Sequence, residues 1–259
     1  MLKLIKSDLL RMFTSKRFFG AIIGITLVNG LNILQFIEEA FRDPCTLLND
    51  ASGAPFFRMI VLILAALPFS TSFCDDWENR YIRSIIIRVG TKKYALSKFI
   101  CCFIGALLAG TLGLLLLVLI TLPFVGHLVP AQNSLIMANA SAESTGINWI
   151  LSQHQYALWI LAISFYKSLE GCVFAELGLV VSVKMTNSFL TLSMPVIGYY
   201  LYLSIINLLP DSDFLYTDVL DSTVINAAFL WQAVCFVVIA GVVLLCCFVR
   251  LVRRKVENE

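Results

Sequence analysis

Six runs of predominantly apolar residues, at 18–37, 55–73, 98–125, 155–183, 188–208 and 228–250, dominate the 259-residue chain. Each is about as long as the ~20 residues an α-helix needs to cross roughly 30 Å of hydrocarbon. Lipid offers the backbone no hydrogen bonds, so a run of this kind must satisfy its own amides as a helix. The fold expected is therefore an all-α integral membrane protein, a single domain over 1–259 with six transmembrane helices. Composition agrees, since 59% of residues are apolar, 14% are charged and mean hydropathy is +0.87. Soluble domains run at about 45–50% and 25%. A net charge of +2 excludes a nucleic-acid binder, and the apolar content excludes a disordered chain.

Sidedness follows from where the cations fall. Residues 1–17 hold five Lys and Arg, 74–98 hold six, Lys184 stands between the fourth and fifth runs, and four follow from Arg250, which is 16 of 19 on one side. The opposite segments carry Arg42 and Arg58, and Lys167 lies within the fourth run. By the positive-inside rule both termini are cytoplasmic and the protein belongs in the cell membrane. Nine acids (Glu38, Glu39, Asp43, Asp50, Glu143, Asp211, Asp213, Asp218 and Asp221) fall outside, and Trp149, Trp159 and Trp231 mark outer span ends. The first run exceeds the 7–15 residues of a signal-peptide core and lacks an A-x-A-like site, so it is expected to be retained. Of eight cysteines, Cys45 alone is expected outside and Cys74 at the cytoplasmic edge, with no intrachain disulfide between them.

No chemistry-bearing motif is present. The chain has no phosphate-binding G-x-x-x-x-G-K-[ST] loop, no H-E-x-x-H and only two histidines, His127 and His154, so neither an enzyme nor a metal site is expected. The largest cytoplasmic segment is too short for a soluble domain. Whatever drives this protein must come from another chain.

The cytoplasmic segments are patterned. Leu2, Ile5, Leu9, Met12 and Phe13 share one face of a helix, with Lys3, Ser7, Asp8, Arg11 and Thr14 opposite, which predicts an amphipathic interfacial helix over 1–17. It serves as a membrane anchor, as a contact surface for a partner, or as both. In 74–98, Ile82, Ile85, Ile86 and Val89 follow helical spacing, Asp75, Asp76 and Glu78 lead them and Gly90 follows, predicting a helix over about 75–89. Asp76 and Arg80 have the spacing of a surface ion pair.

Here the residues resemble the ABC type-2 permeases, the six-span membrane subunits of ATP-driven exporters. Members carry a pattern like D-x-E-x-G-T-I-R after the second span, then Y-x-L-S-K opening the third. Asp76, Glu78, Ile82 and Arg83 match the first part, and Tyr94, Leu96, Ser97 and Lys98 match the second, with Arg80-Tyr81 where the pattern has Gly-Thr. The resemblance extends to the amphipathic N-terminal helix, the number of spans and the acidic connection between the last two. It implies that 75–89 is a cytoplasmic coupling helix docking into a separate ATPase through Asp76, Trp77, Glu78, Arg80, Tyr81 and Arg83. It also implies two ATPase copies as partners, with ATP and Mg on them and no cofactor in this chain, and a second copy of itself or a similar permease. Antimicrobial peptides, drugs and lipids are the cargo classes implied. The alternative from another class is a non-transporting membrane sensor or assembly component that binds a cytoplasmic partner through the same segment.

Within the membrane, Lys167 and Glu170 fall near mid-bilayer on the fourth run, where an unpaired charge costs about 2.5–3.5 kcal/mol or more. They line a translocation path or form a buried ion pair with each other. Glu176 sits deep enough to snorkel to the inner interface. On the first run Asn29, Asn32 and Gln35 recur beside Gly20 and Gly24, a pattern that suits a subunit interface or packing within one subunit. Pro68 and Pro195 are expected to kink the second and fifth spans. Residues 126–153, with an Asn139-Ala140-Ser141 triplet, read as a polar outer loop.

Overall fold

The computed structural model describes residues 2–34, 45, 47, 48, 55–125, 147–208 and 227–258. These form helices and no strands: α1 (Leu2–Phe13), α2 (Lys16–Ile33), α3 (Pro55–Ala66), α4 (Ser72–Glu78), α5 (Tyr81–Val89), α6 (Thr91–Val125), α7 (Asn148–Ser152), α8 (Tyr156–Lys184), α9 (Ser188–Leu208) and α10 (Ala227–Glu257). Four of them, α6, α8, α9 and α10, are long and apolar enough to cross a membrane. The molecule is a helical membrane protein.

The middle of the bundle is α8. It packs on α3, α4, α6, α7, α9 and α10 and is buried along most of its length, whereas α9 and α10 present most of their apolar surface outward. Because lipid tails are as apolar as leucine, small residues and polar links must hold such helices together. A Cβ on Gly110 of α6 would stand 2.6 Å from Ser168 Oγ of α8, and one on Gly113 would stand 2.7 Å from Ile25 of α2. Beside that second contact, Thr26 donates to the Gly113 carbonyl at 2.9 Å. The outer face of α2 carries Phe19, Ile23, Leu27 and Leu31 in one exposed row, suited to acyl chains.

The second apolar run is not one helix. Ahead of Pro68, α3 ends at Ala66, and a turn through Thr71 leads into α4. The proline has no N–H to continue the ladder and its ring crowds the carbonyl four residues back. At 12 residues α3 is about 18 Å long, shorter than the hydrocarbon core. The helix expected over 75–89 is likewise two, α4 and α5, separated by Asn79 and Arg80. Conversely, the third run is longer than expected. It begins at Thr91, and its 35 residues extend about 52 Å, enough to project beyond the membrane at one end.

At that end α1, α4, α5, the start of α6 and the ends of α8 and α10 converge around Met12, Phe73, Ile82, Tyr94, Val183, Phe248 and Val252. It is the basic end of the bundle. The row Ile82, Ile85 and Ile86 does face this core, as the spacing predicts.

Candidate functional site

Of the residues that matched the two-part pattern, Asp76 from the first part meets Tyr94 and Lys98 from the second at the basic end. Lys98, with 1% of its side chain exposed, is held between two carboxylates: Nζ lies 3.0 Å from Asp8 Oδ1 and 2.8 Å from Asp76 Oδ2. Its remaining surface is covered by the rings of Phe69 and Tyr94, 5.1 and 5.6 Å away. Tyr94 donates its hydroxyl to Asp76 at 2.9 Å, Ser97 donates to Asp8 at 2.7 Å, and Arg11 reaches the second oxygen of Asp76 at 2.6 Å. Two cations thus face two anions, and each carboxylate accepts from both a charged and a neutral donor. Burial pushes the Asp76 carboxyl up, but Lys98 and Arg11 outweigh it and hold the group below the usual carboxylate range. Beside this network Arg17 bonds to both Asp75 and Thr71 at 2.7 Å.

Two expectations are corrected by this arrangement. Asp76 pairs with Lys98 and Arg11 and not with Arg80, and at 1% exposure it has no surface to offer a partner. Asp8, assigned to the solvent face of α1, is buried, because α1 turns Asp8 and Arg11 toward α6 and α4 while Lys3, Ser7 and Thr14 remain exposed. Trp77 is also partly built in, with Lys255 of α10 4.1 Å above its ring and Phe73 stacked on it at 5.9 Å.

The rest of the segment faces out. Glu78, Arg80, Tyr81 and Arg83 are exposed, and Trp77, Glu78, Arg80, Ile82, Arg83 and Val256 line a groove of about 530 Å³. Ile87, 85% exposed, and Tyr81, 59% exposed, are apolar surface on this same element. Arg80 adopts φ 57°, and Gly90 at the other end of α5 adopts φ 85°. The left-handed conformation is what glycine tolerates best, and position 80 is where the exporter pattern has its glycine.

A second polar group lies at mid-bundle. Glu170 is 14 residues from either end of α8 and pairs with Arg58 of α3, whose Nε and Nη2 lie 3.1 and 3.0 Å from the same carboxylate oxygen. Lys167 instead donates to the Leu48 carbonyl at 2.9 Å. The partner of Glu170 is therefore Arg58 and not Lys167, and Arg58, assigned to an outer segment, is buried within the bundle and packs on the Tyr199 ring at 5.5 Å. Arg58, Lys167, Ser168, Glu170 and Asn29, together with apolar residues such as Leu62 and Leu114, line a cavity of about 50 Å³. An arginine inside the apolar stretch PFFRMIVLILAA was the sequence signal for this pair.

The remaining expectations divide as follows. Gly24 packs against Leu64 of α3, and Asn29 and Asn32 are buried within the chain, Asn29 donating to the Ile25 carbonyl of its own helix. Gly20 faces open space, and Gln35 lies outside the described residues. Glu176 does not snorkel: it is 1% exposed beside Gly241, with Oε2 unpartnered. Trp159 is buried against the bundle instead of marking an interface, while Trp149 and Trp231 are exposed. Cys45 and Cys74 are both buried, and none of the eight cysteines is in a disulfide. His127, the 139–141 triplet and the acids at 38, 39, 43, 50, 143, 211, 213, 218 and 221 also lie outside the described residues.

No protein-family model, curated protein or solved structure matches the chain.

Proposed function

We propose that this chain is the membrane-spanning permease subunit of an ATP-binding-cassette exporter. It crosses the cell membrane six times, with α2 and the α3–α4 segment joining the four long helices, and its termini are cytoplasmic. It works with two copies of a separate ATPase, which bind ATP and Mg, and with a second permease. Alone it catalyses no reaction.

The observation that supports this reading is the contrast between the two ends of the 76–98 segment. Asp76 is fixed to α1 and α6 by a buried charge network, while Glu78, Arg80, Tyr81, Arg83 and Ile87 next to it stand exposed. A surface that takes a push must be wet on one side and anchored on the other. In this reading Glu78, Arg80, Tyr81 and Arg83 touch the ATPase, whereas Asp76 anchors the helices that carry them. Closure of the two ATPases then tilts α5, and α6 and α1 follow, which is a rigid-body switch of the bundle. The Arg58–Glu170 pair and Lys167 lie at the depth where cargo crosses.

Purification of the tagged chain from its source tests this. An ATPase should co-purify, and Glu78→Lys or Ile87→Asp should release it while leaving the yield of folded permease unchanged, because both side chains are solvated. Retention of the ATPase by both variants, or a membrane partner without ATPase activity, would favour the sensor or assembly role.

A further inference from the structure

Away from the coupling segment, the ends of α8 and α10 leave a groove between them at the basic end. Val180, Val181, Cys247 and Leu251 form its walls, and its volume is about 390 Å³. Lys184, Arg250 and Arg254 stand at its rim and are exposed. Among the described residues no acid lines the groove, and none of these three cations belongs to an ion pair. Arg253, which does form one with Glu257, is not among the residues lining the groove.

The two helices are held together just past the groove. Lys255 donates to the Val183 carbonyl in the last turn of α8, and its ammonium also covers Trp77 and Phe73. The groove consequently lies between two helices that are pinned to each other near their ends. It is apolar within and triply cationic at its mouth.

We infer that this cleft binds an anionic phospholipid of the adjoining leaflet, with an acyl chain against Val180, Val181 and Leu251 and the phosphate at Lys184, Arg250 and Arg254. Basic pockets between membrane helices recognise such headgroups by charge, and three cations around one phosphate repel the quaternary ammonium of a zwitterionic headgroup while attracting a headgroup with net negative charge. A soluble acidic partner would need the cations alone, whereas the apolar walls fit only an occupant with a chain. The inference does not depend on the transport reading.

The test is native mass spectrometry of the full-length protein extracted from bilayers of equal phosphatidylcholine and phosphatidylglycerol. Phosphatidylglycerol should remain bound to the unaltered chain in preference to phosphatidylcholine. The Lys184→Gln, Arg250→Gln, Arg254→Gln variant should lose roughly 100-fold in affinity. Lys3→Gln, Lys6→Gln, Lys16→Gln, which removes the same charge from exposed positions elsewhere at this end, should keep the lipid. Val181→Trp, which fills the cleft and leaves every cation in place, should lose it too. If the triple variant aggregates, Arg250→Gln with Arg254→Gln carries the same decision. Equal retention by the two glutamine triples, no preference for phosphatidylglycerol, or retention by Val181→Trp would each overturn the site. The last result would place the lipid's acyl chain outside the cleft.

Discussion

Lys98→Met is the most informative single change, because one ammonium serves two carboxylates from segments far apart in the chain. At an effective dielectric constant of ~20, charges 3.0 and 2.8 Å apart attract by about 5–6 kcal/mol each. Desolvation of a fully buried lysine and two acids offsets much of this, so the net worth of the network is smaller than its Coulomb sum. Removing one member is another matter, since it strands charge in a dry site at a cost of about 3–5 kcal/mol. The loss falls chiefly on Asp8, whose remaining donor is Ser97, because Asp76 keeps Arg11 and Tyr94. By the scale of soluble proteins of this size, the melting temperature should drop by roughly 6–20 °C. Thermal unfolding in detergent, followed by loss of the monodisperse peak on size exclusion, reads this directly. Adding Asp8→Asn removes the stranded charge and should recover at least half the drop. If Lys98→Met melts with the unaltered protein, or if Asp8→Asn deepens the loss additively, the network is not what fastens α1 to α6.

Two further outcomes are expected. Arg58→Met and Glu170→Gln should each lower folded yield, and the double variant should recover most of it, whereas Lys167→Met should not rescue Glu170→Gln; equal rescue by either would refute the assignment of Arg58 as the partner. Arg80→Gly should raise the melting temperature by about 2–4 °C, since the left-handed backbone at that position costs a non-glycine residue about 1 kcal/mol, and an unchanged or lower value would mean that the conformation carries no strain.

Much of the scaffold could be read from hydropathy, because a lipid-crossing helix is specified by a long local run. The fifth run was placed at 188–208 and α9 occupies those residues, and the fourth differs from α8 by one residue at each end. Breaks inside a run were harder. Pro68 announced a bend but not a full stop, and an arginine at position 80 does not by itself announce a left-handed residue, although the pattern it departs from has glycine there. Charge partners were harder still. Asp8 and Lys98 are 90 positions apart and Arg58 and Glu170 are 112 apart, so no helical periodicity links them. Periodicity therefore put Asp8 in solvent, and a count of cations by side put Arg58 in a loop. Their buried state follows from tertiary contacts that pair an acid on one helix with a base on another.

The clamp on Lys98 also imposes an order on biosynthesis. Asp8 leaves the ribosome 90 residues before the lysine that neutralises it, a delay of roughly 5 to 18 s at 5–20 residues per second. During that interval Asp8 lacks the lysine that neutralises it, and its carboxylate must stay in water while α2, α3 and α4 are made. Only when the first turns of α6 emerge can α1 swing in and lock. The N-terminal helix is thus made first and seated late, which makes its docking a report that the opening half of the bundle has been correctly threaded.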